Sequence, residues 1–291
     1  MSVSPATLAT PPRAAVGQTE PSGFVYVVPA LLLVLGFFAL PVAMLLSRSV
    51  TEPALGLANY AQLFGSTTYL RIFLNTFLVS GLVTLISVVV GFPVAWMLAI
   101  LPRRWSQIVF GILILSMWTN LLARTYAWMV LLQRTGVINK TLMSLGLISE
   151  PLPLVNNLIG VTIGMTYIML PFVILPLTGI IRAIDPAILQ AAALCGATRG
   201  QALRMVLLPL ALPGILSGAL MVFVMSLGYF VTPALLGGTA NMMLAELIAQ
   251  FVQSLVNWGM GAAAAFSLLV LTLGLYALQL RLFGSRRVGG A

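Results

Sequence analysis

Histidine is absent from this 291-residue chain, cysteine occurs once, at Cys195, and lysine once, at Lys140. Without histidine there is no imidazole for a metal site or a hydrolytic triad, and a single thiol makes neither an intrachain disulfide nor a thiolate metal cluster. No metal, no cofactor and no catalytic residue are therefore expected, so the chain is read as no enzyme. The phosphate-binding loop of nucleotide hydrolases needs Gly-Lys-Ser/Thr, whereas Lys140 follows Asn139. If ATP drives this protein, another subunit binds it. Charge is scarce as well: Asp, Glu, Lys and Arg together make up 7% of the chain. A soluble domain carries about 25%, so the surface of a water-soluble fold cannot be built here.

What fills the chain is apolar, 60% of its residues, and it comes in long runs. A bilayer core about 30 Å thick takes about 20 apolar residues per crossing helix. Six stretches qualify: Phe24 to Leu46, Ile72 to Leu101, Gln107 to Leu132, Val155 to Ile181, Pro213 to Leu236 and Trp258 to Leu282. The expected fold class is an all-α integral membrane protein, a bundle of about six transmembrane helices over residues 23–284. Residues 1–22, rich in Pro, Ala and Thr, lack the charged-then-apolar order of a cleavable signal peptide and are read as a disordered tail, with a short second tail at 285–291.

An even number of crossings puts both termini on one side. Arg13, Arg103, Arg104, Arg182, Arg199, Arg204, Arg281, Arg286 and Arg287 then share that side, against Arg48, Arg71, Arg124, Arg134 and Lys140 on or toward the other, which makes the termini cytoplasmic. The net charge of +9 reflects this topology. Its arginines are scattered between apolar runs and form no nucleic-acid stripe. Trp105, Trp128 and Trp258 fall near span ends, where an indole suits the headgroup level. Pro41, Pro93, Pro171 and Pro176 lie inside spans and suggest bent helices around a pathway. Gly160 with Gly164, and Gly214 with Gly218, allow close backbone approach and are read as internal packing. No internal repeat stands out, which tilts against the inverted symmetry of many secondary transporters.

Residues 182–212, between the fourth and fifth stretches, are less apolar but still patterned for helix. Asp185 before Pro186 is a helix start: the carboxylate accepts orphan N–H bonds and proline at the first position loses nothing. Gly196 ends that helix. Thr198 with Gln201 forms a capping box that opens a second, expected to run to Leu208 before Pro209. Two short helices on a glycine turn, with the small face Ala191, Ala192, Ala193 and Gly196, have the shape of a docking element.

The run Gln190-Ala191-Ala192, then Gly196, then Val206, Leu208 and Pro209 resembles the cytoplasmic loop signature of permeases in binding-protein-dependent ABC importers: Glu-Ala-Ala, three residues on a Gly, and nine further residues before Ile-x-Leu-Pro. Gln190 replaces the Glu, removing a charge that could pair with the ATPase, and Val206 replaces the Ile. Arg124-Thr125-Tyr126-Ala127-Trp128, and Phe230 through Gly238 (FVTPALLGG), resemble the spermidine/putrescine branch, which also includes relatives for opines and aminophosphonates. The resemblance implies a subunit of a bacterial inner-membrane importer, moving a small polar solute, with a polyamine preferred. Its partners would be cytoplasmic ABC ATPases docked on Asp185, Gln190, Ala191, Ala192, Gly196, Leu208 and Pro209, a second permease subunit, most simply a paralogue, and an external solute-binding protein.

For the solute path, Arg124 is the one charge placed within a span, and two readings stand open: a pathway residue, or a side chain snorkelling to the outer headgroups. Tyr126, Trp128, Tyr167, Tyr229 and Phe230 offer aromatic faces to an ammonium group. Glu246, in the external segment, either attracts a cation or solvates a short interfacial helix. An ion-coupled secondary transporter would want ionisable groups at mid-membrane, and these are missing.

Overall fold

The computed structural model describes residues 24–283, and every regular element among them is helical. The chain divides into two units, residues 1–45 and 46–291. The tails read as 1–22 and 285–291, and with them Arg13, Arg286 and Arg287, lie outside the described residues.

Of the first unit, residues 24–45 are helical, with Pro29 near the start and a π-helical turn at Leu35–Ala39. Its large side chains from Val27 onward are exposed, Phe37 and Phe38 among them, as befits a helix whose surroundings are lipid. This helix, α1, continues to Thr51.

In the second unit, α2 is Ala58–Gly65 and α3 Thr67–Ile100, whose 34 residues run about 51 Å. Then come α4, Arg103–Trp118, α5, Leu121–Leu132, and α6, Val137–Ser144. After a loop, α7 covers Leu158–Ala183, α8 Pro186–Leu194 and α9 Arg199–Leu227. Short α10, Val231–Leu236, and α11, Leu244–Ala249, precede α12, Trp258–Phe283.

Two of the expected spans are corrected. The third is not one rod: α4 and the α5–α6 segment meet at an angle of 99°. Thr119 and Asn120 are extended there, and the Asn120 side chain accepts from the N–H groups of Leu122 and Ala123, starting a new helix. The amide cap outweighs a run of hydropathy that continues across it. Five helices are therefore long and apolar enough to cross singly, and a sixth crossing exists if the bent pair is one span. The fifth span also differs. The second loop helix does not stop before Pro209 but continues without a break into α9. A π-helical turn at Leu203–Leu207 lies immediately ahead of the proline. That wider turn relieves the clash between the proline ring and the preceding turn that would otherwise end the helix. At its far end α9 stops at Leu227, not Leu236, and residues 228–230 lead into the separate α10.

The core is the α3–α7–α9 trio, with α7 the most enclosed span. Val79, Val83 and Leu98 of α3 meet Met165, Met169, Val173 and Leu177 of α7 and Ala211 and Val222 of α9. Glycines set the spacing. A Cβ on Gly91 of α3 would lie 3.1 Å from the Val173 side chain, and one on Gly218 of α9 3.7 Å from the Val173 backbone. The α9 helix also presents Gly214 to Ile180 of α7, and Gly164 of α7 faces Leu236 and Thr232 of α10. Both small-residue pairs thus serve internal packing. A second cluster joins Leu63, Ile72, Leu247, Phe251 and Met260 around α2, α11 and α12.

Candidate functional site

At the loop end of the bundle, α8 starts as its sequence requires. Asp185 accepts from the Ala187 N–H at 2.9 Å, with Pro186 in the first turn. At its other end the chain turns through Gly196, φ +85°, and the N–H groups of Cys195 and Ala197 return to the carbonyls of Ala191 and Ala192. That is the left-handed closure glycine permits at low cost. Thr198 and Gln201 then exchange capping-box bonds of 2.8 and 3.3 Å. Loop and fifth span are therefore one piece: α8, a rigid turn, and the 29-residue rod α9.

The expected docking residues lie together on this hairpin and face outward. Asp185, Gln190, Ala191, Gly196, Leu208 and Pro209 are exposed, and Ala192 is half-buried. Nothing lies within 4 Å of a Cβ placed on Gly196. Leu194 is 89% exposed and Met205 74%, side chains with no cover inside this subunit. The Cys195 thiol is free and exposed beside the turn.

Near the break in the third span a different group collects. On α5, Thr125 shares a buried 3.2 Å hydrogen bond with Thr232 of α10. Arg124 beside it has a buried Nε without a hydrogen-bond partner, and the buried Tyr229 hydroxyl of the 228–230 link lies against the Thr232 side chain. Such unsatisfied buried groups are rare enough in folded proteins to suggest a water or ligand. The Trp128 ring stands 5.5 Å from that of Tyr167 on α7, whose hydroxyl meets Ser116 Oγ of α4 at 3.0 Å. Ser116 gave no signal in the sequence, since a lone serine in an apolar run is common.

Tyr126 and Phe230 point outward. Glu246 sits on α11, and among the described residues no hydrogen bond or ion pair joins it to the Arg124 group. One of its carboxylate oxygens is buried without a partner. Burial pushes the Glu246 carboxyl above the ordinary carboxylate range, and the Met243 backbone partly counteracts it.

Residues 77–288 match the family described as binding-protein-dependent transport system inner membrane component. The chain is 35% identical over 213 residues to the spermidine/putrescine transport system permease protein PotB of Haemophilus influenzae, covering 73% of this chain and 74% of that protein. It is 33% identical over 214 residues to PotB of Escherichia coli K12, with 74% and 78% covered. Among solved structures, a bacterial ABC transporter involved in the import of the acidic polysaccharide alginate aligns with a TM-score of 0.70 at 21% identity, over 92% of this chain and 96% of that one. At that identity the likeness is one of fold.

Proposed function

Because this chain belongs to the family of binding-protein-dependent transport system inner membrane components, and is therefore a permease subunit of an ABC importer, we propose that it carries polyamines inward, driven by separate ATPase subunits that dock on the 185–209 hairpin. The observation that supports the coupling role is the hairpin itself: an exposed surface of Ala191, Ala193 and Gly196 beside the uncovered Leu194, continuous through Thr198 with a rod that packs on α3 and α7. Motion of the ATPases would push on α8. With helix unbroken from Arg199 to Leu227, α9 would take up the displacement, biasing the bundle between inward and outward states.

The polyamine assignment is supported by the names of the relatives and by the Trp128–Tyr167–Ser116 group, where two rings and a hydroxyl suit an alkylammonium. Cation–π contact with such rings is worth about 2 kcal/mol when desolvated. Arg124 would repel a cation, and Trp128, four residues on, shares its face of α5, so the arginine pulls against the amine assignment. Gln190 carries no charge, so docking at that position would rest on shape and neutral hydrogen bonds. The remaining partners would be an external solute-binding protein and a paralogous second permease, with the bent pair counted as one crossing and both termini cytoplasmic.

The test is ATP-dependent uptake of labelled putrescine and spermidine by proteoliposomes holding the whole complex, compared with Gly196→Trp. Uptake that the substitution abolishes, with assembly intact, is the expected result. Uptake indifferent to ATP overturns the importer reading. ATPase activity that answers only to a binding protein loaded with an opine or aminophosphonate overturns the polyamine assignment and leaves the architecture standing.

A further inference from the structure

At the inner end of α7, one turn before the docking hairpin, Arg182 makes contacts that its expected role as a headgroup-level charge does not require. Its Nη2 donates to the carbonyl oxygen of Leu98 at 3.0 Å and to Ser106 Oγ. The guanidinium lies over the Phe110 ring, 5.4 Å from the centroid. Ser106 Oγ, buried, donates to the same Leu98 oxygen at 2.9 Å.

The sequence explains why that carbonyl is available. In a continuing helix the Leu98 oxygen would accept from the N–H four residues on, but that residue is Pro102, which has none. The freed acceptor at the α3–α4 corner is taken by Ser106 from α4 and by Arg182 from α7. One guanidinium thus holds the end of α3, the first turn of α4 and the last turn of α7, three residues before the Asp185 cap of α8.

We propose that Arg182 is a positioning residue that conveys displacement of the docking hairpin into the third span, a second output beside the direct push on α9. The inference rests on the coupling role proposed for the hairpin. The α7–α8 link is only Ile184 and Asp185, so a shift of α8 moves the last turn of α7. A charge-assisted bond to the α3–α4 corner transmits that movement. Beyond the corner α4 is 16 residues, about 24 Å. Its far end is the 99° break and Ser116, whose hydroxyl meets Tyr167. The hairpin is thereby tied to the group proposed for the solute. Lysine at position 182 would keep the charge but lose the planar fork and the stacking on Phe110.

The experiment uses the complete complex in proteoliposomes, comparing Arg182→Gln, Arg182→Lys and Gly196→Trp for uptake and for the ratio of ATPase activity with and without loaded binding protein. Arg182→Gln is expected to assemble and keep basal ATPase activity, yet lose at least tenfold in uptake and most of the stimulation. Arg182→Lys should recover less than half of the uptake. A fourth variant carries Cys195→Ser, Arg182→Cys and Ser106→Cys. Once joined by a bifunctional thiol reagent about as long as the lost side chain, it should regain uptake over its unlinked form. Full uptake in Arg182→Lys, or no gain in a protein verified as cross-linked, reduces Arg182 to a topological charge and overturns the proposal. If Gly196→Trp transports normally, the hairpin reading has failed. If Gly196→Trp is dead while Arg182→Gln is normal, only the role of Arg182 has.

Discussion

Gly196 separates two demands that are usually entangled, backbone conformation and space. Its φ of +85° disfavours any side chain, at a cost of about 1–2 kcal/mol for an L-residue held in the left-handed region. A Cβ there meets nothing within 4 Å, so side chains from Ala to Trp should cost this subunit nearly the same. Permeases carrying Gly196→Ala and Gly196→Trp, purified without the ATPases, should therefore melt within a degree or two of each other and only a little below the parent. Asn, which tolerates the left-handed region, should fall between parent and Ala. In the full complex the series should spread widely, because the added volume now meets a partner's groove. Ala should keep much of the uptake and Trp almost none, with ATPase binding falling in the same order. The assays are thermal unfolding of the subunit followed by ATP-dependent uptake of the reconstituted complex. Uptake in Trp equal to that in Ala would refute the reasoning, since no groove would then close on the turn. A Trp subunit far less stable than the Ala one would refute the open space around Gly196.

Three further outcomes follow from the packing and the charges. Gly91→Ala brings its Cβ to 3.1 Å from Val173 and should destabilise by about 1–3 kcal/mol; Val173→Ala in the same chain should recover part of that, read as a double-mutant cycle in denaturation. Thr125→Val removes the buried bond to the Thr232 hydroxyl, at a cost of about 1 kcal/mol, so Thr125→Val with Thr232→Val should cost less than the two single changes added. The Glu246 carboxyl is raised by burial, so the folded protein holds that proton more tightly than the unfolded chain. The stabilisation is present at low pH and is lost as pH rises from the ordinary carboxylate range through the raised value. Glu246→Gln should flatten that part of a melting-temperature profile, and an unchanged profile would contradict the burial.

Much of this architecture is legible in the sequence because lipid makes strict demands. Runs of apolar residues mark four of the spans to within a few residues at most ends, and Asp185-Pro186, Gly196 and Thr198-x-x-Gln201 mark the hairpin because each supplies a specific hydrogen bond or dihedral angle. Hydropathy fails where a single polar contact decides the outcome. Asn120 breaks the third span through a side-chain cap that adds almost nothing to the average over its neighbours, and the π-helical turn before Pro209 keeps α9 whole where a proline ordinarily signals an end. The residues proposed for the solute were only partly legible. Aromatic residues in spans are common, and what distinguishes Trp128 and Tyr167 is their contact with each other and that of Tyr167 with Ser116, three residues from three helices. Arg182 was hidden for a related reason: its partner is a backbone carbonyl freed by Pro102, 80 residues earlier in the chain.

The distribution of glycine contacts bears on where a displacement delivered at the hairpin must go. Between helices in a bilayer the hydrophobic effect supplies little adhesion, and close packing at small residues takes its place. Val173 is held between Gly91 and Gly218, and Gly214 seats Ile180, so α3, α7 and α9 are keyed together along much of their length. Interfaces packed in this way resist continuous deformation and respond by shifting as units. A push on α9 would therefore move the trio together, leaving the change in shape to the joints outside it. Two lie at the opposite end of the rods from the hairpin: the extended pair Thr119–Asn120 between α4 and α5, and residues 228–230 between α9 and α10. Tyr229 lies in the second joint and Arg124 one turn beyond the first. The two joints are fastened to each other by Thr125 and Thr232, so α5 and α10 would swing as a pair. On this argument joining α5 to α10, through cysteines introduced at 125 and 232 in the Cys195→Ser chain, should leave uptake intact; uptake lost in a protein verified as cross-linked would show that the two helices part during transport and would refute the paired swing.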